Sequence, residues 1–413
     1  MGIRSHRTIA AMLALALVSP LPHAVAAPAP ARGKAAAQPV PTQAPTVATQ
    51  GLLLQSAPRI AARSWLLVDV TTGQLLAASE PDMKLEPASL TKLMTAYLAF
   101  NAIKEKKLAL DLRPPVSQAA HKSIGSRMFV DPAKPATVEE LLHGLIIQSG
   151  NDAAVVLAET LGGSESGFAT LMNREAQRLG MRNSNFTNAS GLPDAQHYTT
   201  ARDLAILASR LIEEHPDLYR LYSIREYTFN GIKQPNRNRL LFIDPTVDGM
   251  KTGLTDAAGY CLIASSKREQ QGGGFSRRLL SVVMGAASES SRAIESQKLL
   301  NWGFSSFDVV RLYQKEQPAA SYQVWKGNAD DVKAGFGSDV LVTVARGQGD
   351  RVKGEIERIQ PLVAPIEKGQ RIGTLRVRVD NQTIAEHPLV ALEAVGLDGW
   401  FGRAWDTMRL WFK

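Results

Sequence analysis

The sequence of 413 residues contains a single cysteine, Cys261. One cysteine excludes an intramolecular disulfide, so the fold must be stable without one even in an oxidising compartment. Cys261 lies in the apolar run GYCLIASS, where we expect a buried thiol that acts as a small hydrophobic side chain. The sequence also lacks a cluster of metal-ligand residues, a nucleic-acid motif and a repeat of fixed period, so none of these supplies a function.

Long hydrophobic runs are also missing, because no segment has the roughly 20 apolar residues that a membrane-spanning helix needs. The run from Thr8 to Val18 is shorter, follows the basic segment MGIRSHR and precedes Ala24-Val25-Ala26. This order of basic, apolar and small residues predicts a secretory signal peptide over residues 1–26. The mature protein is then extracytoplasmic, and its formal charge falls from +8 to about +6 when Arg4 and Arg7 are removed.

Composition divides the remaining chain into three segments before its end. Residues 27–55 are rich in Ala and Pro, which predicts a disordered or polyproline-like leader. Residues 56–308 begin with two apolar runs around Thr71-Thr72-Gly73, which predict a hairpin, continue with helical patterns and return to strand patterns. This order predicts an α+β domain in which helices pack on an antiparallel sheet. Two of the helical patterns begin with capping-box spacing, at Thr137 with Glu140 and at Thr200 with Asp203. Residues 309–393 alternate between polar and apolar positions and predict a small all-β domain with a turn at Asp380-Asn381.

The last segment, residues 394–413, has the pattern of an amphipathic helix. At 100° per residue one face collects its large apolar side chains: Leu397, Trp400, Phe401, Trp405, Met408, Trp411 and Phe412. Such a face is typical of a helix that lies in the membrane interface, so we expect peripheral attachment to a membrane. Docking on the protein's own β-rich domain and self-association are the alternatives.

The stretch PASLTKLMTAYL places Ser89 and Lys92 three residues apart in an apolar helical pattern. Side chains at this spacing share one helix face. A serine hydroxyl needs a base to become a good nucleophile, and lysine accepts a proton only when burial or a nearby cation keeps it neutral. By itself this pair is weak evidence of catalysis.

Two further motifs strengthen the evidence that Ser89 and Lys92 are catalytic. Ser149, Gly150 and Asn151 stand at a break between two predicted helices, where helix capping is the ordinary alternative. Lys251, Thr252 and Gly253 stand at the entry to a predicted strand, where a solvated turn is the alternative. Gly253 would let a substrate backbone approach, and the side chains of Lys251 and Thr252 suit a carboxylate.

Ser-x-x-Lys, Ser-x-Asn and Lys-Thr-Gly in this order form the signature set of the penicillin-recognising serine acyltransferases. The chain closely resembles the low-molecular-mass penicillin-binding proteins that are D-alanyl-D-alanine carboxypeptidases. Further matching stretches include LIIQSGNDAAVVLAE, FNGIKQPNRNRLL and KLLNWGFSSFD. The β-rich domain and the terminal helix also match that family's architecture.

The resemblance implies a role for each motif residue. Ser89 is the nucleophile that attacks the peptide bond between the last two D-alanines, and Lys92 is its general base. The site residues that it implies are the catalytic Ser89, Lys92 and Ser149, the substrate-binding Asn151, Arg237, Lys251, Thr252 and Gly253, and the backbone N–H groups of Ser89 and Leu254 as an oxyanion hole. Lys251 is expected to keep Lys92 neutral, and Arg237 with Thr252 to bind the terminal carboxylate. No metal and no cofactor are implied.

The expected function is removal of the terminal D-alanine from peptidoglycan stem pentapeptides in the periplasm, by an enzyme attached peripherally to the inner membrane. β-Lactams are expected to acylate Ser89, and no nucleic-acid partner is expected. A class A β-lactamase shares the three motifs, but its deacylating glutamate is missing from NFTNASGLPDAQHYTT. The motifs also leave open a D,D-endopeptidase of cross-links and a non-catalytic wall-binding scaffold.

Overall fold

The computed structural model describes residues 57–270 and 274–399. The predicted signal peptide, the predicted leader (27–55), residue 56 and residues 400–413 of the predicted terminal helix lie outside the described residues. Residues 394–399, where that helix is predicted to begin, are extended, because Val395 pairs with Ile366 and Leu397 pairs with Gly327. In the described part of the chain, no helix is long and apolar enough to cross a membrane.

A five-stranded antiparallel sheet forms the centre of the N-terminal region. The strands of this region are β1 (Ser64–Asp69), β2 (Gln74–Ser79), β3 (Glu226–Phe229), β4 (Ile232–Pro235), β5 (Val247–Thr255), β6 (Gly259–Glu269) and β7 (Ser276–Ala286). The sheet order is β2-β1-β7-β6-β5, and β3 pairs with β4 in a separate hairpin. The turn predicted around Thr71-Thr72-Gly73 joins β1 to β2, and Gly73 adopts the positive φ of 73° that it requires.

Helices cover both faces of this sheet. The helices are α1 (Lys92–Lys104), α2 (Gln118–His121), α3 (Val138–His143), α4 (Asn151–Gly162), α5 (Glu165–Leu179), α6 (Ala201–Glu214), α7 (Pro216–Tyr219), α8 (Leu240–Ile243) and α9 (Glu289–Ser306). In β1, Leu66 and Val68 face the core formed with α1 and α3–α6, whereas Trp65 and Leu67 face the core formed with α9. The predicted α+β architecture, with helices packed on an antiparallel sheet, is confirmed.

The capping sequences identify the helix starts. The backbone N–H of Glu140 donates to Thr137 Oγ1 (3.1 Å), and the N–H of Thr137 donates to Glu140 Oε2 (2.7 Å), so the predicted capping box of α3 is complete. At α6 only half of the box forms. The N–H of Asp203 donates to Thr200 Oγ1, but the Asp203 carboxylate accepts hydrogen bonds from the N–H and hydroxyl groups of other residues, Asn183 and Ser184.

The C-terminal region is β-rich, as predicted. Its strands are β8 (Phe307–Tyr313), β9 (Ala320–Gln323), β10 (Asp331–Gly335), β11 (Val340–Ala345), β12 (Val352–Arg358), β13 (Arg371–Val379) and β14 (Gln382–Ala391). Five of them form a sheet of order β12-β13-β14-β10-β9, and β11 pairs with β8. Asp380 and Asn381, both at positive φ, make the predicted turn between β13 and β14.

A buried ion pair of the central sheet takes part in the contact between the two regions. Arg277 Nε of β7 donates to Asp69 Oδ2 of β1 at 2.7 Å, with both side chains almost completely buried. The hydroxyl of Thr343 in β11 donates to the same carboxylate oxygen at 2.8 Å. Gln74 holds the backbone of Thr343 from both sides, because its Oε1 accepts the Thr343 N–H (2.6 Å) and its Nε2 donates to the Thr343 carbonyl (3.2 Å). The β-rich region is therefore fixed to the central sheet where β1 ends and β2 begins.

Candidate active site

Ser89 lies in a single turn of 3-10 helix, Ala88–Thr91, immediately before α1. Lys92 is the first residue of α1, and its Nζ lies 3.0 Å from Ser89 Oγ. The structure therefore brings the two side chains of the first motif together. Lys92 is only 1% exposed, whereas Ser89 is partly accessible.

The other contacts of Lys92 fix the direction in which its lone pair points. Lys92 Nζ donates to Asn151 Oδ1 and to the carbonyl oxygen of Ser190, both at 2.6 Å. Both of these oxygens only accept, so they use the two N–H bonds of a neutral amine. The remaining position of the nitrogen faces Ser89 Oγ, where a neutral lysine presents its lone pair to the hydroxyl proton. This arrangement of hydrogen bonds suits Lys92 to act as the base for Ser89.

The environment of Lys92 favours the neutral form. Burial is the main cause that lowers its pKa, to about 7, and the positive charge of Arg237 lowers it further, while Asp152 acts in the opposite direction. The pKa of Lys251 is also lowered, well below its ordinary value, by burial and then by Lys92, Arg237 and Arg292. The positive charge of Arg237 therefore lowers the pKa of both lysines.

The second motif lies where a π-helical turn, Gly144–Gln148, meets α4. Ser149 between them has a left-handed backbone (φ 59°), which a residue with a side chain adopts only when its surroundings hold it there. Ser149 Oγ accepts a hydrogen bond from Lys251 Nζ at 2.8 Å. The second and third motifs are therefore in direct contact.

Asn151 and Asp152 also hold the loop beside the cleft. Asn151 Nδ2 donates to the carbonyl of Ile124 at 2.7 Å. The buried carboxylate of Asp152 accepts three backbone N–H groups from Met128, Phe129 and Val130, at 2.7–3.1 Å. Three such bonds secure the loop to the start of α4. No pattern in the sequence indicates this role for Asp152.

The third motif occupies β5. Gly253 is expected to leave room for a substrate backbone, but the structure shows another reason for glycine. A Cβ atom built on it would lie 3.0 Å from the Pro87 carbonyl oxygen and 3.2 Å from Ala88 Cβ. Glycine therefore allows β5 to pack against the turn that carries Ser89. The next side chain, Leu254, is 52% exposed.

One cleft of about 410 Å³ contains most of the predicted residues. It is lined by Ser89, Ser126, Ser149, Arg237, Thr252, Gly253, Leu254, Tyr260, Glu289 and Arg292. Lys92 is joined to this lining by its hydrogen bond to Ser89, Lys251 by its bond to Ser149, and Asn151 by its bond to Lys92. Four lining residues were not predicted, because no motif marks their positions: Ser126, Tyr260, Glu289 and Arg292.

Comparison with known proteins identifies the class of enzyme. A family model described as D-alanyl-D-alanine carboxypeptidase matches residues 53–288, more than half of the chain. The chain belongs to the D-alanyl-D-alanine carboxypeptidase family. It is a serine carboxypeptidase, and a second model, the C-terminal domain of penicillin-binding protein 5, matches residues 307–396.

Individual relatives of the carboxypeptidase agree with this assignment. It is 40% identical over 364 residues to the D-alanyl-D-alanine carboxypeptidase DacC of Escherichia coli, in a match that covers 86% of this chain and 90% of the relative. The structure of penicillin-binding protein 5 from Haemophilus influenzae has a TM-score of 0.77 and 38% identity, covering 83% of this chain and 99% of that one. Penicillin-binding protein D2 from Listeria monocytogenes, in an ampicillin-bound form, has a TM-score of 0.55 and 32% identity. The match covers 60% of this chain and 100% of that one.

Proposed function

We propose that the carboxypeptidase removes the terminal D-alanine from peptidoglycan stem pentapeptides through an acyl-enzyme on Ser89. The observation that carries the proposal is the contact of Ser89 Oγ with a buried lysine amine whose two N–H bonds are already used. A nucleophile within hydrogen-bond reach of a neutral base is what serine acyl transfer requires.

In the acylation step, Ser89 Oγ attacks the carbonyl carbon of the penultimate D-alanine and Lys92 Nζ accepts the hydroxyl proton. The bond to the terminal D-alanine then breaks, and the leaving amine receives a proton through Ser149, which is hydrogen-bonded to Lys251. Water hydrolyses the resulting ester on Ser89 with the proton transfers reversed. Asn151 holds the substrate amide and, through its 2.6 Å contact, the orientation of Lys92.

The backbone N–H groups of Ser89 and Leu254 bind the developing oxyanion in this mechanism. This role of the two N–H groups is supported by the close packing at Gly253, which brings β5 against the turn that carries Ser89. Donors held on rigid elements require no reorganisation when the charge forms.

Arg237 and Thr252 bind the terminal carboxylate of the substrate in this proposal, which makes the enzyme an exopeptidase. Both side chains line the cleft together with Ser89. Arg237 lies between Asn236 and Asn238, which are buried and hydrogen-bonded to backbone, so the segment around it is held in place. A guanidinium group is well suited to bind a planar carboxylate.

β-Lactams acylate Ser89 in the same way, because their strained amide takes the place of the scissile peptide. The ampicillin-bound form of the similar Listeria protein supports this extension.

The test compares two reactions of the purified protein: release of D-alanine from a soluble stem pentapeptide, and release of D-alaninamide from the same peptide with an amidated C-terminus. We expect release from the free acid, and release from the amide slower by about 10²-fold or more, because a charged hydrogen-bond partner is lost. Equal rates on both peptides would refute carboxylate recognition. No release from the free acid by the folded protein would refute the proposed reaction.

Export to the periplasm and peripheral attachment to the inner membrane are part of the proposal. They are supported by the signal-peptide pattern of residues 1–26 and by the apolar arc of the terminal segment. We expect deletion of residues 400–413 to release the protein from sedimenting vesicles that contain anionic lipid, while its activity on a soluble peptide is unchanged. Continued sedimentation of the truncated protein would contradict attachment through this segment.

A further inference from the structure

The cleft has an unusual distribution of charge for a site that is proposed to receive a carboxylate. Arg237 and Arg292 line it and supply positive charge. Glu289 lines the same cleft and is the only acidic residue among the described residues that do so. Its side chain is half exposed, so an incoming substrate meets it.

Glu289 acts on both arginines. It is the first residue of α9, and its Oε1 lies 3.8 Å from Arg292 Nη2. Its charge raises the pKa values of Arg237 and Arg292 and so opposes the effect of burial on each. Arg292 is itself almost buried, and its Nη1 donates to the carbonyl of Gly253 at 3.3 Å.

We propose that Glu289 is a specificity-determining residue that competes with the substrate's terminal carboxylate for the positive charge of Arg237 and Arg292. The inference rests on the proposed function, because it assumes that the substrate carboxylate binds at Arg237 and Thr252. A fixed negative charge beside that position repels every carboxylate ligand and lowers the net attraction of the site. The enzyme then binds carboxylate substrates and products more weakly than its two arginines alone would allow.

A purely structural role for Glu289 makes a different prediction. An acidic side chain in the first turn of a helix interacts favourably with the helix dipole. If this were its only role, removal of the charge would lower the melting temperature and leave the affinity for substrate unchanged.

The experiment compares the parent with Glu289→Gln, which keeps the shape of the side chain and removes its charge. We expect KM for D-alanine release from the pentapeptide to fall about three- to tenfold at low ionic strength, with kcat within about twofold. The difference should shrink in roughly 0.5 M salt, because ions screen exposed charges. Glu393→Gln is the matched control, because the Glu393 carboxylate is 45% exposed and lies 3.7 Å from Lys333 in the β-rich region.

Acylation by a penicillin supplies a second measurement. The second-order acylation rate should rise in Glu289→Gln by the same factor as the KM falls, and the rate for the penicillin methyl ester, which has no carboxylate, should not change. Unchanged KM, an equal change for acid and ester, or the same effect in Glu393→Gln would overturn the role of Glu289 while the proposed reaction stands. If the parent neither releases D-alanine nor is acylated, the proposed function fails and this inference fails with it.

Discussion

Replacement of Ser89 by alanine is expected to abolish D-alanine release, with a loss in kcat of at least about 10⁴-fold, because the bond to the substrate acyl group forms at Ser89 Oγ. The variant should still fold, because the hydroxyl is partly accessible and its hydrogen bond is with Lys92. Steady-state release from the pentapeptide measures the loss, and a thermal melt checks the fold.

Ser126→Ala is the matched control for this variant. Ser126 lines the same cleft, but the side-chain contacts of Lys92 are with Ser89 and Asn151. We expect its activity to stay within a few-fold of the parent. Release by Ser89→Ala at a rate near that of Ser126→Ala would show that another group is the nucleophile.

Removal of the base is the second large effect. Lys92→Met replaces the buried amine by an apolar side chain of similar length, and we expect kcat/KM to fall by at least about 10³-fold. Lys92→Arg should not restore activity, because a guanidinium stays protonated and accepts no proton. Activity of Lys92→Arg within about tenfold of the parent would mean that the positive charge, and not proton transfer, is what the reaction needs.

The pH dependence of the parent tests the same role without a mutation. Burial lowers the pKa of Lys92 to about 7, and the base form is the unprotonated one. kcat/KM should therefore be flat above this pH and fall about tenfold for each pH unit below it. A profile that is flat from about pH 5 to about pH 8 would contradict a neutral Lys92 as the base.

Most of the site could be predicted from the sequence because its side chains come in three short motifs. Ser89 and Lys92 are one helical turn apart, so local geometry alone explains their contact. The capping box of Thr137 and Glu140 likewise depends on four consecutive residues and was predicted in full. Contacts between residues this close in the sequence can be predicted from the local sequence alone.

What the sequence could not predict depends on contacts between distant segments. The carbonyl of Ser190 that orients Lys92 lies 98 residues away, and a backbone carbonyl carries no signal in the sequence. The reason for Gly253 is its packing against Pro87 and Ala88, which arises only when β5 lies beside that turn.

The roles of two acidic side chains could not be predicted from the sequence for the same reason. Glu289 enters the cleft because α9 begins there, and no motif marks that position. The capping box expected at Thr200 is only half formed, because the Asp203 carboxylate accepts hydrogen bonds from Asn183 and Ser184 instead. In both cases the neighbours that decide the role of the carboxylate come from other segments of the chain.

Location of the covalent adduct tests the central claim most directly. The purified protein is incubated with a penicillin and digested with a protease, and the modified peptide is identified by mass spectrometry. The acyl-enzyme mechanism predicts that the peptide containing Ser89 gains the mass of the intact penicillin, and that fragment ions assign it to Ser89. An adduct on any other residue, or a folded protein that gains no mass, would contradict it.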